Sequence, residues 1–186
     1  MTTSLPEQAA GEIWINEELF PDNISEIVRY HNEYYAENYG FNHDFGKYVE
    51  SPLLEFYQRK CPDEHIWLLH DHSVLKGCVA LVKNSDEEAQ LRWFYVDESF
   101  RGQGYGQKLM DLLLLFAAGK TYRRIILWTV SLLEAARKVY ERNGFALVEE
   151  HEILIWGQNL VEQKFVKNFD KEKLQFSIDE SGFSPS

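Results

Sequence analysis

Three glycines, Gly102, Gly104 and Gly106, stand at alternate positions in one short segment of the chain. A strand-like run, Leu91–Val96, precedes them, and a strong helix-forming segment, Gln107–Ala118, follows. Glycine has no side chain to cover the backbone, so the N–H groups of such a turn can approach a bound anion closely. The dipole of the following helix adds partial positive charge at the same point. The segment therefore predicts a turn that binds a phosphate or diphosphate.

The spacing of the glycines excludes two common phosphate-binding turns. Both the dinucleotide fingerprint and the P-loop require glycine at the position of Gln107. The remaining pattern is Arg101-x-x-Gly104-x-Gly106, followed directly by a helix. By itself this short pattern is also compatible with an ordinary glycine-rich turn between a strand and a helix.

A second pattern follows about one strand–helix unit downstream. The segment 124–129 is typical of a short buried strand, and Ser131-Leu-Leu-Glu134 has the form of a capping box that starts a helix. That helix is predicted to end at Gly144, a residue suited to the left-handed conformation after a last turn. Phe145 then opens the next predicted strand.

Together the two patterns resemble the signatures of the GNAT N-acetyltransferase superfamily. The first is similar to its acetyl-CoA-binding turn, and the segment from Ala136 through Tyr140 to Gly144-Phe145 is similar to its second signature. The resemblance extends over residues 10–168 and is sharp over 91–150. Segments 34–41, 127–129, 135–137 and 156–160 resemble most closely the acetyltransferase half of bacterial proteins that fuse a MarR-type DNA-binding domain to a GNAT domain. Only about ten residues precede the first predicted strand, so we expect no winged helix and no DNA binding here.

The resemblance implies an α/β fold of the α+β type with helices on both faces of a mixed sheet. That sheet is expected to be mostly antiparallel, with a parallel pair formed by its fourth and fifth strands. We expect one domain at 11–169, a tail at 1–10, and a polar, partly disordered tail at 170–186. Helices are expected at 21–37 and 43–59, the second interrupted at Pro52. A broad loop holding His151 and Trp156 is expected after Val148.

The resemblance also implies roles for individual residues, with acetyl-CoA as co-substrate and no metal. The backbone of the glycine turn would bind the diphosphate, and the edge of the strand ending at Val96 would pair with the pantetheine amides. Lys108 could add charge or could be a solvated helix residue, and Ser131 could contact the cofactor or only cap its helix. The expected cofactor contacts are Phe94, Tyr95, Val96, Arg101, Gly102, Gln103, Gly104, Tyr105, Gly106, Lys108, Ser131 and Ala136.

Tyr140 is the expected catalytic residue, because the family carries a helical Tyr near the thioester sulfur. A phenol can give its proton to a departing thiolate, although a buried aromatic side chain on an amphipathic helix would fit the same position. The general base stays open among Glu33, Glu37, Glu149, Glu150, His31, His43 and His151. The acceptor pocket is expected among aromatic residues of the first two helices, with Trp156 nearby: Tyr30, Tyr34, Tyr35, Tyr39, Phe41 and Phe45.

Composition narrows the class of protein. The net charge of -11 argues against a nucleic-acid partner, and no apolar run reaches membrane-spanning length. The segment 101–142 carries eight Lys or Arg against three Asp or Glu, whereas the rest carries eleven against twenty-seven. This split predicts an anionic ligand at one place and a cationic amine at another. Cys61 and Cys78 form no metal-binding spacing and are expected to be free thiols in a cytoplasm.

The leading hypothesis is a cytoplasmic, bacterial acetyl-CoA-dependent N-acetyltransferase, a monomer or homodimer, acting on a small-molecule or peptide amine. The alternatives are a non-catalytic acetyl-CoA-binding sensor and an interaction protein with a degenerate cofactor site. Release of free CoA in the presence of amines separates the first hypothesis from the second. Loss of CoA binding would favour the third.

Overall fold

The computed structural model describes residues 13–169. The tails expected at 1–10 and 170–186 lie outside these residues. The chain forms, in order, β1 (Ile13–Asn16), α1 (Pro21–Tyr39), α2 (Asp44–Arg59), β2 (His65–Asp71), β3 (Val74–Lys83), β4 (Glu88–Val96), α3 (Tyr105–Ala118), β5 (Arg124–Val130), α4 (Glu134–Arg142), β6 (Ala146–Ile155) and β7 (Gln158–Asn168). A single 3₁₀ turn, Glu98–Phe100, joins β4 to the glycine-rich segment.

The strands form one sheet in the order β1-β2-β3-β4-β5-β7-β6. Every neighbouring pair is antiparallel except β4 and β5, which are parallel. One core lies between the sheet and helices α1 and α2, around Ile27 and Leu53. A second core lies on the opposite face beneath α3, around Leu109 and Leu113. The expected mixed sheet, its parallel fourth and fifth strands and its two helical layers are confirmed.

The parallel pair is short, and this creates the main opening in the sheet. β4 and β5 pair only where Glu88–Gln90 faces Arg124–Ile126. Beyond Gln90, β4 contains a bulge: Trp93 has φ 50°, and the register with β3 shifts between Cys78 and Ala80. A bulge bends its strand and ends regular pairing. The second half of β4 therefore leaves β5 and has an unpaired edge on that side within the described chain.

The helix at 43–59 is not interrupted, contrary to expectation. α2 runs from Asp44 to Arg59 with Pro52 inside it. An interior proline costs a helix about 3 kcal/mol. Here Val49, Leu53 and Phe56 are buried on both sides of it, and burying large apolar side chains contributes about 1.5–3 kcal/mol each. Packing of the whole helix outweighs the local penalty.

The prediction of a broad loop after Val148 is also wrong. β6 continues to Ile155, so His151 lies within a strand. Trp156 and Gly157, with φ of 53° and 80°, form the two-residue turn between Ile155 and Gln158. Two consecutive positive φ angles are the condition for a tight hairpin turn that matches the twist of its strands. β6 is an exposed edge strand rich in polar residues, so its sequence lacks the clear alternation of apolar and polar residues that predicts a strand.

The capping box at Ser131 does not form. α4 begins at Glu134 with Leu133 at the N-cap position and no side-chain cap. The backbone of Ser131 instead donates to the carbonyl of Val161, 2.9 Å away, because β5 remains paired with β7 as far as Val130. The predicted end of α4 is confirmed, since Gly144 follows it with φ 82°.

Candidate active site

A groove of about 720 Å³ lies beside the gap between β4 and β5. The unpaired end of β4 and the glycine turn form one wall, and one face of α4 forms the other. Aromatic side chains of α1 complete it. The lining residues are Tyr34, Tyr35, Tyr39, Phe94, Tyr95, Val96, Arg101, Gly102, Gly104, Gly106, Gln107, Leu133, Ala135, Ala136, Val139, Arg142 and Asn143.

The glycine turn presents an array of free backbone donors to this groove. Gly102 and Gly104 have φ of 72° and 87°, a region that side-chain-bearing residues rarely adopt. The six consecutive N–H groups from Gly102 to Gln107 donate no hydrogen bond within residues 13–169. The N-terminus of α3 lies at the end of the same array, so its dipole adds positive potential. The turn is therefore arranged to bind an anion.

The side-chain charges of the groove are positive, like the N-terminal end of the α3 dipole. Arg101 and Arg142 line it, and no Asp or Glu is among its lining residues. The Nε of Arg101 donates to the Val96 carbonyl at 2.9 Å, and its Nη1 donates to the Tyr34 hydroxyl at 2.8 Å. Arg101 thus ties α1 to the end of β4. Arg142 is exposed and makes no ion pair with any residue the structure describes.

Eight of the twelve residues expected to contact the cofactor line the groove, and four do not. Gln103 donates to the Ser99 carbonyl at 2.7 Å, and Tyr105 packs on Phe100 with ring centroids 5.4 Å apart. Lys108 is exposed on α3, and Ser131 lies in the turn before α4. The eight that line it are Phe94, Tyr95, Val96, Arg101, Gly102, Gly104, Gly106 and Ala136.

The α4 wall of the groove includes residues that the sequence reasoning missed. Ala135, Val139 and Arg142 join Ala136 there. Residues spaced by three and four positions share one face of a helix, and this spacing was the available signal. Leu133, Gln107 and Asn143 carried no such signal, because only the fold brings them to the groove.

A second, smaller cavity of about 100 Å³ adjoins the groove across the gap in the sheet. Tyr35, Phe94 and Leu133 line both spaces. The smaller cavity is bounded by α1, α2, β4, β5 and the β6–β7 hairpin. Aromatic side chains dominate its α-helical side, where Phe41 and Phe45 pack on Trp156 at centroid distances of 4.9 and 4.7 Å. Of the aromatic residues expected around the acceptor, Tyr35, Phe41, Phe45 and Trp156 line this cavity. Tyr34 and Tyr39 line the larger groove, and Tyr30 lines neither space.

Tyr140 lines the smaller cavity. Its ring is buried against Phe94 and Phe165, with centroids 6.1 and 6.2 Å away. Burial raises the pKa of its phenol, so the hydroxyl stays protonated at neutral pH. This hydroxyl makes no hydrogen bond to any described residue. Tyr140 is therefore a protonated donor positioned where β4 and β5 separate.

Of the seven candidate bases, only His31 lines the smaller cavity. Its Nδ1 lies 2.8 Å from the carbonyl of Ile27, and burial lowers its pKa to about 4. A neutral ring that donates from Nδ1 leaves Nε2 as an acceptor. Glu162, which the sequence reasoning did not consider, lines the same cavity with its carboxylate 3.4 Å from His151.

The other candidate bases lie away from this cavity. Glu33 pairs with Arg29 at 3.0 Å, and Glu150 accepts a hydrogen bond from Gln163 at 3.0 Å. Glu37, His43, Glu149 and His151 are exposed.

Two buried polar atoms around the smaller cavity lack hydrogen-bond partners among residues 13–169. They are the indole Nε1 of Trp93 and the hydroxyl of Thr129, and both residues line the cavity. Buried polar groups in folded proteins are nearly always paired, with protein, water or ligand. These atoms are candidates for contacts to a bound acceptor.

Within the described part of the chain, no group of three or more His, Cys, Asp or Glu side chains is placed to hold a metal ion. None of the described helices combines the length and hydrophobicity needed to cross a bilayer. Cys61 and Cys78 are free thiols, as expected.

Comparisons with solved structures agree with the fold. An acetyltransferase of the GNAT family from Staphylococcus aureus Mu50 matches with a TM-score of 0.69 at 19% identity, covering 84% of this chain and 99% of that one. The YncA acetyltransferase of Salmonella typhimurium, solved with acetyl-CoA, matches with a TM-score of 0.68 at 15% identity, covering 86% and 95%. At such identities the likeness shows the fold alone.

Comparisons by sequence identify the family. The N-acetylaspartate synthetase of Xenopus tropicalis is 30% identical over 137 residues, 71% of this chain and 51% of that protein. A mycothiol acetyltransferase of Corynebacterium efficiens is 31% identical over 86 residues, 46% of this chain and 29% of that protein. The chain spans at most about half the length of these curated relatives. The model of the acetyltransferase (GNAT) family matches residues 26–145, and the chain therefore belongs to that family.

Proposed function

We propose that this protein is an N-acetyltransferase that transfers the acetyl group of acetyl-CoA directly to an amine, with both substrates bound together. One observation carries the proposal: six consecutive backbone N–H groups without an acceptor among residues 13–169 border a groove that adjoins a second cavity beside the gap in the sheet. Two connected sites of different chemistry suit a reaction between two substrates. Placing the reactants side by side can itself provide much of the rate acceleration.

The groove fits acetyl-CoA in charge and in hydrogen bonding. The turn N–H groups would bind the diphosphate, with Arg101 and Arg142 adding positive charge nearby. The free edge of Phe94–Val96 offers backbone groups to the amides of the pantetheine arm. Ala135 and Ala136, with their short side chains, leave room for that arm against α4. The coenzyme would supply the activated thioester.

The chain's own residues would manage the protons and exclude water. Tyr140 holds a proton beside the gap, ready for the departing sulfur. His31 and Glu162 provide acceptor atoms on the other side of the smaller cavity. The aromatic cluster around Trp156 would limit the access of water to this cavity once both substrates are bound. We assign no single residue as the base, since ordered water between these groups would serve equally.

The names of similar proteins support acetyl transfer to nitrogen but differ in the acceptor. The relatives include N-acetylaspartate synthetases and a mycothiol acetyltransferase, and a structural neighbour is the NAA60 of Arabidopsis thaliana with a bisubstrate analogue. A small-molecule or peptide amine is therefore proposed. A cytoplasmic location, a bacterial source, a monomeric or dimeric state and kinship with MarR–GNAT fusion proteins remain predictions of the sequence.

The test combines cofactor binding with turnover. Calorimetry should show binding of acetyl-CoA, and a thiol reagent should detect free CoA when a panel of amines is added. Binding without CoA release from any amine would instead support the non-catalytic sensor. Absence of binding would remove both functions.

A further inference from the structure

Arg92 places a positive charge at the smaller cavity, and it has no counter-ion among residues 13–169. It lies on β4, is partly buried, and lines the cavity. Its guanidinium carbon lies 5.6 Å from the ring centroid of Tyr48 and 5.1 Å from that of Trp93. It makes no hydrogen bond or ion pair with any residue in 13–169. Guanidinium groups withdrawn from water are normally paired, and their planar donors match a carboxylate.

A second observation points to the same kind of ligand. The indole N–H of Trp93, the neighbouring residue, is buried without an acceptor and belongs to the same cavity. Trp93 is only 7% exposed, so bulk water does not readily satisfy this donor. The cavity therefore offers donors from two adjacent residues, one charged and one neutral, and neither has an acceptor among the described residues.

The opposite charge is also present in the cavity but is not paired with Arg92. The carboxylate of Glu162 lines it from β7 and interacts with His151 at 3.4 Å. A cavity that keeps a cation and an anion apart suits a ligand that carries both charges. Its volume of about 100 Å³ suits a small molecule.

Building on the proposed function, we infer that the acceptor is an amine that also bears a carboxylate, of the free amino-acid class. Arg92 binds the carboxylate, and the Trp93 N–H gives it a further donor. The amine then lies toward Glu162 and Tyr140. In the reaction the amine nitrogen bonds to the acetyl carbon as the carbon–sulfur bond breaks. The nitrogen loses one proton and the sulfur gains one.

The test compares matched acceptors in the CoA-release assay. Free glycine, alanine, aspartate, glutamate and phenylalanine are each paired with the corresponding α-carboxamide, which keeps the amine and removes the charge. At least one free acid should exceed its amide in kcat/KM by roughly 10- to 100-fold, the range expected for a hydrogen-bonded charged group. Amides have the less basic amine, which favours their reactive form, so a preference for the acid cannot arise from amine basicity.

Arg92→Gln should abolish this preference for the acid, chiefly by raising its KM. The kcat/KM for the amide should stay almost unchanged. Arg92→Lys keeps the charge and loses the planar fork, so it should restore only part of the preference. Unchanged acetyl-CoA affinity shows that each variant is folded. Arg123→Gln is the matched control, because Arg123 pairs with Glu87 at 2.9 Å and lines neither space.

Equal use of acids and amides by the wild type, or a preference that survives Arg92→Gln, would overturn the inference. In either case CoA would still be released, so the proposed function would stand. CoA release from no amine at all would overturn both.

Discussion

Tyr140 shows how one side chain can be both a core residue and a candidate reactant. Its ring packs among Phe94, Phe145 and Phe165, which explains its burial without any function. Packing does not explain its hydroxyl, which makes no hydrogen bond to residues 13–169. A purely structural role would be filled as well by phenylalanine, so the hydroxyl is the atom to test.

Tyr140→Phe should lower kcat by about 100-fold or more, the usual contribution of a general acid. Acetyl-CoA affinity should change little, since the glycine turn that we propose binds the diphosphate lies elsewhere. Steady-state CoA release and calorimetry measure the two quantities. Tyr122→Phe is the control: Tyr122 is a buried tyrosine that donates to the Asp63 carbonyl at 2.8 Å and lines neither space. Full activity of Tyr140→Phe would remove the residue from the mechanism.

At the scale of elements, the glycine turn and the start of α3 work as one unit. Gly104 is the N-cap of α3 with φ 87°, and the first N–H groups of the helix that follows have no acceptor within the helix. A Cβ at Gly104 would meet no atom within 4 Å. Its cost would therefore come from the backbone conformation, which side-chain-bearing residues adopt only with strain of order 1–3 kcal/mol.

Gly104→Ala should weaken acetyl-CoA binding by about 10-fold or more. The alanine would relieve its strain by a change in backbone angles, and the N–H groups of the turn would then no longer point toward one bound anion. Gly119→Ala is the control, since Gly119 ends the same helix with an ordinary φ of −77°. Calorimetry on both variants gives the comparison. A Gly104→Ala protein that binds acetyl-CoA like the wild type would show that the turn does not hold the diphosphate.

At the scale of the whole molecule, the charges near the groove and those far from it have opposite effects on an anionic ligand. The chain carries a net charge of -11, which repels a polyanion at long range. Salt screens charges farther apart than about 10 Å at 0.1 M. Arg101 and Arg142 line the groove, so their attraction for a diphosphate bound there would outweigh the repulsion from the distant acidic surface.

Raising NaCl from 0.1 to 0.5 M should therefore weaken acetyl-CoA binding by several-fold. Arg142→Gln should weaken it at low salt and make the salt dependence shallower. Arg123→Gln should do neither, because Arg123 lies just before β5, pairs with Glu87 and does not line the groove. Isothermal titration calorimetry across the salt series measures the acetyl-CoA affinity of the wild type and of both variants. Tighter binding at high salt would show that the overall negative charge dominates.

Folding stability should depend on pH through His31. Burial lowers the pKa of His31 to about 4, below the ordinary value of 6.5. Between these values the unfolded chain binds more protons, so stability falls as the pH falls. From pH 7.5 to 5.0 the free energy of unfolding should drop by about 2 kcal/mol from this group. Burial also lowers the pKa of His70, which adds in the same direction.

The free energy of unfolding of His31→Phe, measured with denaturant at both pH values, should depend less on pH than that of the wild type. His43→Gln is the control, because His43 is exposed. Equal slopes for the wild type and His31→Phe would mean that His31 is not buried as a neutral ring.

The sequence by itself determined the features that depend on a few neighbouring residues. Gly104 and Gly144 mark backbone positions that only a residue without a Cβ adopts easily, and both were found without a structure. The order of strands and helices followed from local periodicity. The parallel pair of strands and the candidate Tyr140 came instead from the family resemblance, which local patterns alone do not supply.

Only the tertiary structure decided which distant residues meet. The gap between β4 and β5 depends on a bulge at Trp93, and the partner strand lies about thirty residues further along the chain. Arg92 and Glu162 reach one cavity because β4, β5 and β7 are neighbours in the sheet. Strand register and long-range packing set these contacts, and no short stretch of sequence encodes them. For the same reason Pro52 remains inside a helix that its neighbours alone would interrupt.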